Sequence, residues 1–84
     1  MSHRSKRKIL VTGGSSGIGA AIAQSFATNG DHVIATGVTK EEVERAWVQS
    51  EQNKISFQQL DVRDGNAVQD CIDEIDSLDV LVNC

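Results

Sequence analysis

The stretch Thr12-Gly13-Gly14-Ser15-Ser16-Gly17-Ile18-Gly19 constrains this chain more than any other. An apolar run, Ile9-Leu10-Val11, leads into it, and a helix-like run from Ala20 to Thr28 leads out. The order is strand, tight turn, helix N-terminus. Gly13, Gly17 and Gly19 carry no Cβ, so the backbone there can take positive φ and press against a ligand. The first turn of a helix presents unpaired N–H groups and the positive end of its dipole. Together these make a seat for an anion, and for a pyrophosphate in particular. Ser15 and Ser16 add hydroxyl donors at the rim. A glycine-rich loop with no ligand is the bland alternative, and it is weakened by the strand before the turn and the helix after it.

The rest of the chain alternates in the same way. Lys8 to Thr12 reads as a first strand, of the continuous apolar kind buried in a parallel sheet. A first helix is expected from Gly17 to Asn29, with Ile18, Ala21, Ile22, Ser25 and Phe26 on one face. Gly30 suits the left-handed position that closes it. His32 to Thr36 is a second strand and Gly37-Val38 turns the chain. Thr39 followed three residues later by Glu42 matches a capping box for a second helix, which runs on through Val43, Ala46 and Trp47. Ile55 to Leu60 is a third strand of mixed pattern, expected near a sheet edge. Asp64 is a good N-cap for a third helix, whose apolar stripe is Val68, Cys71, Ile72 and Ile75. Asp79 to Asn83 is the fourth strand. The βαβαβαβ order is that of an α/β parallel sheet. Right-handed crossovers put the first two helices on one face and the third on the other, for a strand order of 3-2-1-4. The switch point between strands 1 and 4 then lies over the glycine turn.

Composition narrows the classes of function. Eighty-four residues are one small domain or part of one. A formal net charge of −4 argues against a nucleic-acid partner. The basic residues Arg4, Lys6, Arg7 and Lys8 gather at the N-terminus, where residues 1–7 read as a flexible solvated tail ahead of a domain over 8–84. No stretch approaches the roughly 18 apolar residues of a membrane span, and the basic start lacks the apolar run of a secretory signal. Cys71 and Cys84 are too few for a disulfide framework, and no Cys/His cluster has metal-ligand spacing. A cytoplasmic protein with free thiols and no bound metal is the expectation.

The T-G-x-x-x-G-x-G spacing from Thr12 to Gly19 resembles the short-chain dehydrogenase/reductase family, in the branch with that glycine pattern. The extended branch, with G-x-x-G-x-x-G, fits less well. The resemblance runs over residues 8–84 and implies a Rossmann-like fold, present here as the N-terminal part of a doubly wound domain. It implies that Gly13, Ser15, Ser16, Gly17, Ile18 and Gly19 hold the dinucleotide's phosphates. Asp61-Val62, after the third strand, matches the family's Asp and small apolar residue. By that match the Asp61 carboxylate accepts from the adenine amino group and the Val62 N–H donates to a ring nitrogen. Leu81-Val82-Asn83 matches the family's Leu-Val-Asn-Asn-Ala-Gly ending, with Cys84 in place of the second Asn. Asn83 then helps fix the central sheet near the adenosine ribose, and Thr12 ties the turn to the end of strand 4.

Cofactor choice bears on Thr36, Gly37 and Val38. An Asp or Glu at the end of the second strand would bind the ribose 2′-OH and favour NAD. The matching residue is Gly37, which has no carboxylate to repel a 2′-phosphate, so the reading leans to NADP. The chain has no Arg in the glycine turn or just after the second strand, which keeps NAD open, and Glu41 and Glu42 read as first-turn dipole and capping residues rather than as ribose ligands.

The family's chemistry uses a Ser, a Tyr and a Lys, the last two in a Tyr-x-x-x-Lys motif well beyond the fourth strand. This sequence contains no Tyr. The expectation is the cofactor half of an NAD(P)-dependent oxidoreductase, truncated ahead of its catalytic half and inactive alone. Its parent would transfer hydride between nicotinamide and a small carbonyl or alcohol, and would form homo-oligomers. A non-catalytic nucleotide-binding or interaction fragment is the alternative, and a longer reading frame containing Tyr-x-x-x-Lys would separate the two. The unpaired apolar edge of strand 4 predicts association or partial unfolding of the isolated chain.

Overall fold

The computed structural model describes residues 7–15, 17–49 and 55–84. Four strands alternate with three helices: β1 Lys8–Thr12, α1 Gly17–Thr28, β2 His32–Gly37, α2 Lys40–Gln49, β3 Ile55–Gln59, α3 Gly65–Glu74 and β4 Val80–Asn83. The sheet is parallel in the order β3-β2-β1-β4. The expected order and alternation are therefore both present.

Each face of the sheet carries its own apolar cluster. Ile9, Val11, Val33, Ala35 and Ile55 pack with Ala23 and Ala27 of α1 on one side. Leu10 packs with Leu60 and Cys71 on the other, joined by Val68 and Ile72 of α3 and by Ile75 just after it. Alternate residues of β1 point to opposite sides of the sheet, so this central strand is buried on both faces. Trp47 of α2 meets Phe57 of β3 edge-on at 5.7 Å between ring centroids.

The buried face of α1 differs from the one expected. Gly19, Ala23 and Ala27 are buried, while Ile18 is 79% exposed. The small residues recur every four positions and let the helix lie close to the sheet. Ile18, Ala21, Ile22, Ser25 and Phe26 form a second stripe, which lines an open groove of about 680 Å³ with Arg7 and Asn29, while Phe26 also packs against the core.

The helix ends are built locally. Gly30 (φ +95°) follows α1, with the Gly30 N–H bonded to the Ala27 carbonyl and the Asp31 N–H to that of Phe26. This is the Schellman pattern. Asp64 accepts from the N–H groups of Asn66 and Ala67 and caps α3. At the opposite edge from the glycine turn, Arg7 clamps the buried Asp31 with two bonds of 3.0 and 2.9 Å. Its guanidinium also lies over the Phe26 ring. Arg7, grouped with the tail in the sequence, is thus tied to the end of α1. The Arg7 hydrogen bonds hold the Asp31 carboxyl below its usual range.

Strand ends differ by a residue from expectation. Asp79 precedes β4, its carboxylate accepting from the Lys8 N–H at 2.8 Å while its own N–H donates to the Lys8 carbonyl. Among the described residues no helix is long and apolar enough to cross a membrane, and no group of His, Cys, Asp or Glu is placed to hold a metal.

Candidate functional site

Parallel pairing brings the C-terminal ends of all four strands to one edge of the sheet. Thr12 stands beside Asn83, and Gly37 beside Gln59. The chain leaves β1 through the glycine turn at this edge, between β1 and β4. The Thr12 hydroxyl donates to Asn83 Oδ1 at 2.8 Å, and the Cys84 N–H reaches the Thr12 carbonyl at 3.3 Å. Thr12 is therefore the tie between the turn and β4 that the resemblance implied.

Each glycine of the turn answers a different demand. Gly13 has φ +72° and lies against Cys84, whose carbonyl oxygen is 3.2 Å from where a Gly13 Cβ would stand. A Cβ on Gly19 would run into the Gly13 carbonyl, so the first turn of α1 rests directly on the loop. Gly17 has φ +61° and nothing within 4 Å of its Cβ position. Its open side is where a ligand on the helix N-terminus would lie. Gly14, which the motif leaves as a variable position, is more confined than Gly13 or Gly17. Its Cβ would stand 2.8 Å from the Ala35 Cβ and 2.9 Å from the Val11 carbonyl oxygen. No sequence signal marked it, because its neighbours come from β1 and β2.

The remaining candidates fall into two groups. Val38, Val62 and Ile18 are exposed at or next to this edge, and Asn83 is held through Thr12. Thr36 is 0% exposed, and its Oγ1 accepts from the Gly13 N–H at 3.4 Å. It supports the turn from beneath. Ser15 is also buried, and its hydroxyl donates to Glu42 Oε2 at 3.3 Å. Ser16 lies outside the described residues. Gly37 sits below Ser15, with 2.5 Å between its Cβ position and Ser15 Oγ. An Asp at position 37 would therefore have to displace Ser15.

Asp61 is not free. Arg63 reaches it with Nε at 3.0 Å and Nη2 at 2.8 Å, and its backbone N–H adds a third bond at 3.0 Å. These hydrogen bonds hold the Asp61 carboxyl down to about 2. An adenine amino group would share this carboxylate with Arg63. The two-residue spacing of Asp61 and Arg63 was visible in the sequence, whereas the approach of Glu42 to Ser15 was not. A smaller cavity of about 120 Å³ lies under the turn, among Gly14, Ser15, Ala20 and Gln24 of the first unit and Ala46, Ile55 and Phe57.

Known proteins share this fold. The family model for short chain dehydrogenases matches residues 7–84. The 3-oxoacyl-[acyl-carrier-protein] reductase FabG of Chlamydia pneumoniae is 37% identical over 84 residues, covering 92% of this chain and 34% of the relative. The NADP-dependent 3-hydroxy acid dehydrogenase YdfG of Salmonella typhi is 37% identical over 79 residues, covering 89% and 32%. The crystal structure of a short chain dehydrogenase from Bacillus anthracis superposes with a TM-score of 0.80 at 39% identity, covering 93% of this chain and 34% of that one. The chain spans about a third of the length of the curated relatives it matches. With the fold and the match over nearly its whole length in agreement, this chain belongs to the short-chain dehydrogenase family.

Proposed function

We propose that this chain is the cofactor-binding part of an NAD(P)-dependent oxidoreductase. The edge described above receives the dinucleotide, with its pyrophosphate on the N-terminus of α1. One observation carries the reading: Gly13, Gly17 and Gly19 bring backbone without side chains to the switch point between β1 and β4, and open Gly17 to solvent. Ligands of open α/β sheets bind at such points. The activity that follows is hydride transfer between nicotinamide and a small carbonyl or alcohol; in the family a Tyr moves the accompanying proton, and these 84 residues contain no Tyr. Homo-oligomeric assembly and a cytoplasmic location go with this reading. The identity of residue 37 favours NADP, and the Salmonella relative is named as NADP-dependent. The Glu42 carboxylate beside that residue favours NAD.

The test is calorimetric titration of the chain with NAD⁺ and NADP⁺, beside the variant Gly17→Asn. Asn tolerates the left-handed conformation, so the fold is kept while its side chain fills the open side of the turn. Saturable binding that Gly17→Asn weakens at least about tenfold, with an unchanged circular dichroism spectrum, supports the reading. A chain that binds neither dinucleotide at millimolar concentration, or a variant that binds as well as the parent, would overturn it.

A further inference from the structure

We infer that Glu42 discriminates between the two dinucleotides and selects the one with a free 2′-hydroxyl. This rests on the nucleotide site proposed above. The residue at the end of β2 normally makes this choice, and here it is Gly37, which has no side chain and where a Cβ would have to displace the Ser15 hydroxyl. A carboxylate reaches the same place from a different element. The Glu42 Cβ is 3.3 Å from the Cβ position of Gly37, and Glu42 Oε2 accepts from Ser15 Oγ at 3.3 Å. Glu42 thus bridges the end of β2 and the glycine turn. Those are the two elements between which the adenosine ribose lies once the pyrophosphate is seated on the helix.

The capping geometry of α2 points the same way. Thr39 Oγ1 accepts from the Glu42 N–H at 3.1 Å, which is half of the capping box. In a complete box the carboxylate returns to the N–H of the capping residue. Among the described residues it instead meets two hydroxyls, those of Ser15 at 3.3 Å and Thr39 at 3.4 Å. Each oxygen takes one donor and keeps a lone pair. That leaves capacity to accept from a ribose 2′-hydroxyl. A 2′-phosphate in the same place would set like charges a few ångströms apart. Such a contact lowers affinity by at least about tenfold at a protein surface.

The experiment is titration of the 84-residue chain with NAD⁺ and NADP⁺ by calorimetry, for the parent, Glu42→Gln and Glu41→Gln. Glu41 loses the same charge one position away on the same exposed helix turn. The parent is expected to bind NAD⁺ at least about tenfold more tightly than NADP⁺. Glu42→Gln should close most of that gap through tighter NADP⁺ binding, while Glu41→Gln leaves the ratio unchanged. A parent that prefers NADP⁺ or binds both equally would overturn the inference, whatever the variants do. So would equal shifts in the two variants, which would indicate general charge and not position. Binding of neither dinucleotide would instead remove the nucleotide site itself.

Discussion

Replacing Gly14 by Ala puts a methyl group into a space closed on three sides. Its Cβ would stand 2.8 Å from the Ala35 Cβ, 2.9 Å from the Val11 carbonyl oxygen and 3.1 Å from Val11 Cγ1. Ordinary van der Waals contact begins at 3.4 Å, so the Ala35 methyl alone must retreat by 0.6 Å, the difference of 3.4 and 2.8. Ala35 and Val11 are neighbouring positions of the two central strands, fully buried, with α1 packed over them. The strain is therefore taken up by backbone. Forced overpacking of this kind costs about 1–3 kcal/mol. Loss of glycine's freedom in the unfolded chain returns about 0.4–1 kcal/mol. The midpoints of those ranges leave a net loss of about 1.3 kcal/mol. A domain of this size loses roughly 4–8 °C of Tm per kcal/mol, so the melting temperature should fall by about 5–10 °C. Thermal unfolding followed by far-UV circular dichroism reads this directly. Gly65→Ala is the control, at the first position of α3 with nothing within 4 Å, and it should hold or raise Tm. The double variant Gly14→Ala, Ala35→Gly removes one of the three walls and should show a favourable coupling of about 1 kcal/mol. A Gly14→Ala chain as stable as the parent, or zero coupling with Ala35, would refute the packing argument.

Further expectations address the edges of the sheet, its ties and its thiols. Thr12→Val removes the hydroxyl that donates to Asn83 and should cost about 1 kcal/mol in urea titration, whereas Thr12→Ser should largely retain it. Asp31 and Asp61 have folded pKa values below the unfolded 3.8, Asp61 at about 2. Their contribution to stability is thus complete above about pH 4 and is lost as pH falls through the folded values. Tm measured between pH 5 and pH 2 should drop, and Asp31→Asn should flatten the drop; an unchanged slope would count against the Arg7 clamp. Cys71 is buried, which pushes its thiol pKa up, while Cys84 is exposed. Alkylation at neutral pH, located by mass spectrometry, should mark Cys84 first. Leu81, half exposed on the outer strand β4, offers an apolar edge to a second chain, so sedimentation should show association that Leu81→Lys reduces.

What the sequence by itself determined is local. The alternation of strands and helices follows from periodicity read over a few residues. Helix ends follow from Asp64 at one N-cap and Gly30 at one C-cap, each acting through bonds within five residues of chain. The strand order follows from crossover handedness once the elements are known. The glycine turn was legible because its demands are partly intrinsic: Gly13 and Gly17 stand at positive φ, which glycine adopts without steric cost. The tertiary structure decided what depends on contacts between distant segments. Which stripe of α1 is buried was set by how closely the helix approaches the sheet, and that distance selects Gly19, Ala23 and Ala27 over the larger Ile18 and Ile22. Gly14 is confined by Ala35, Asp31 is held by Arg7, and the Glu42 carboxylate meets Ser15 because parallel crossovers bring those segments together. None of these pairings has a spacing rule along the chain. The physical reason is that capping and periodicity act over about one helical turn, whereas the cofactor edge is assembled from the ends of four strands that meet only in the folded sheet.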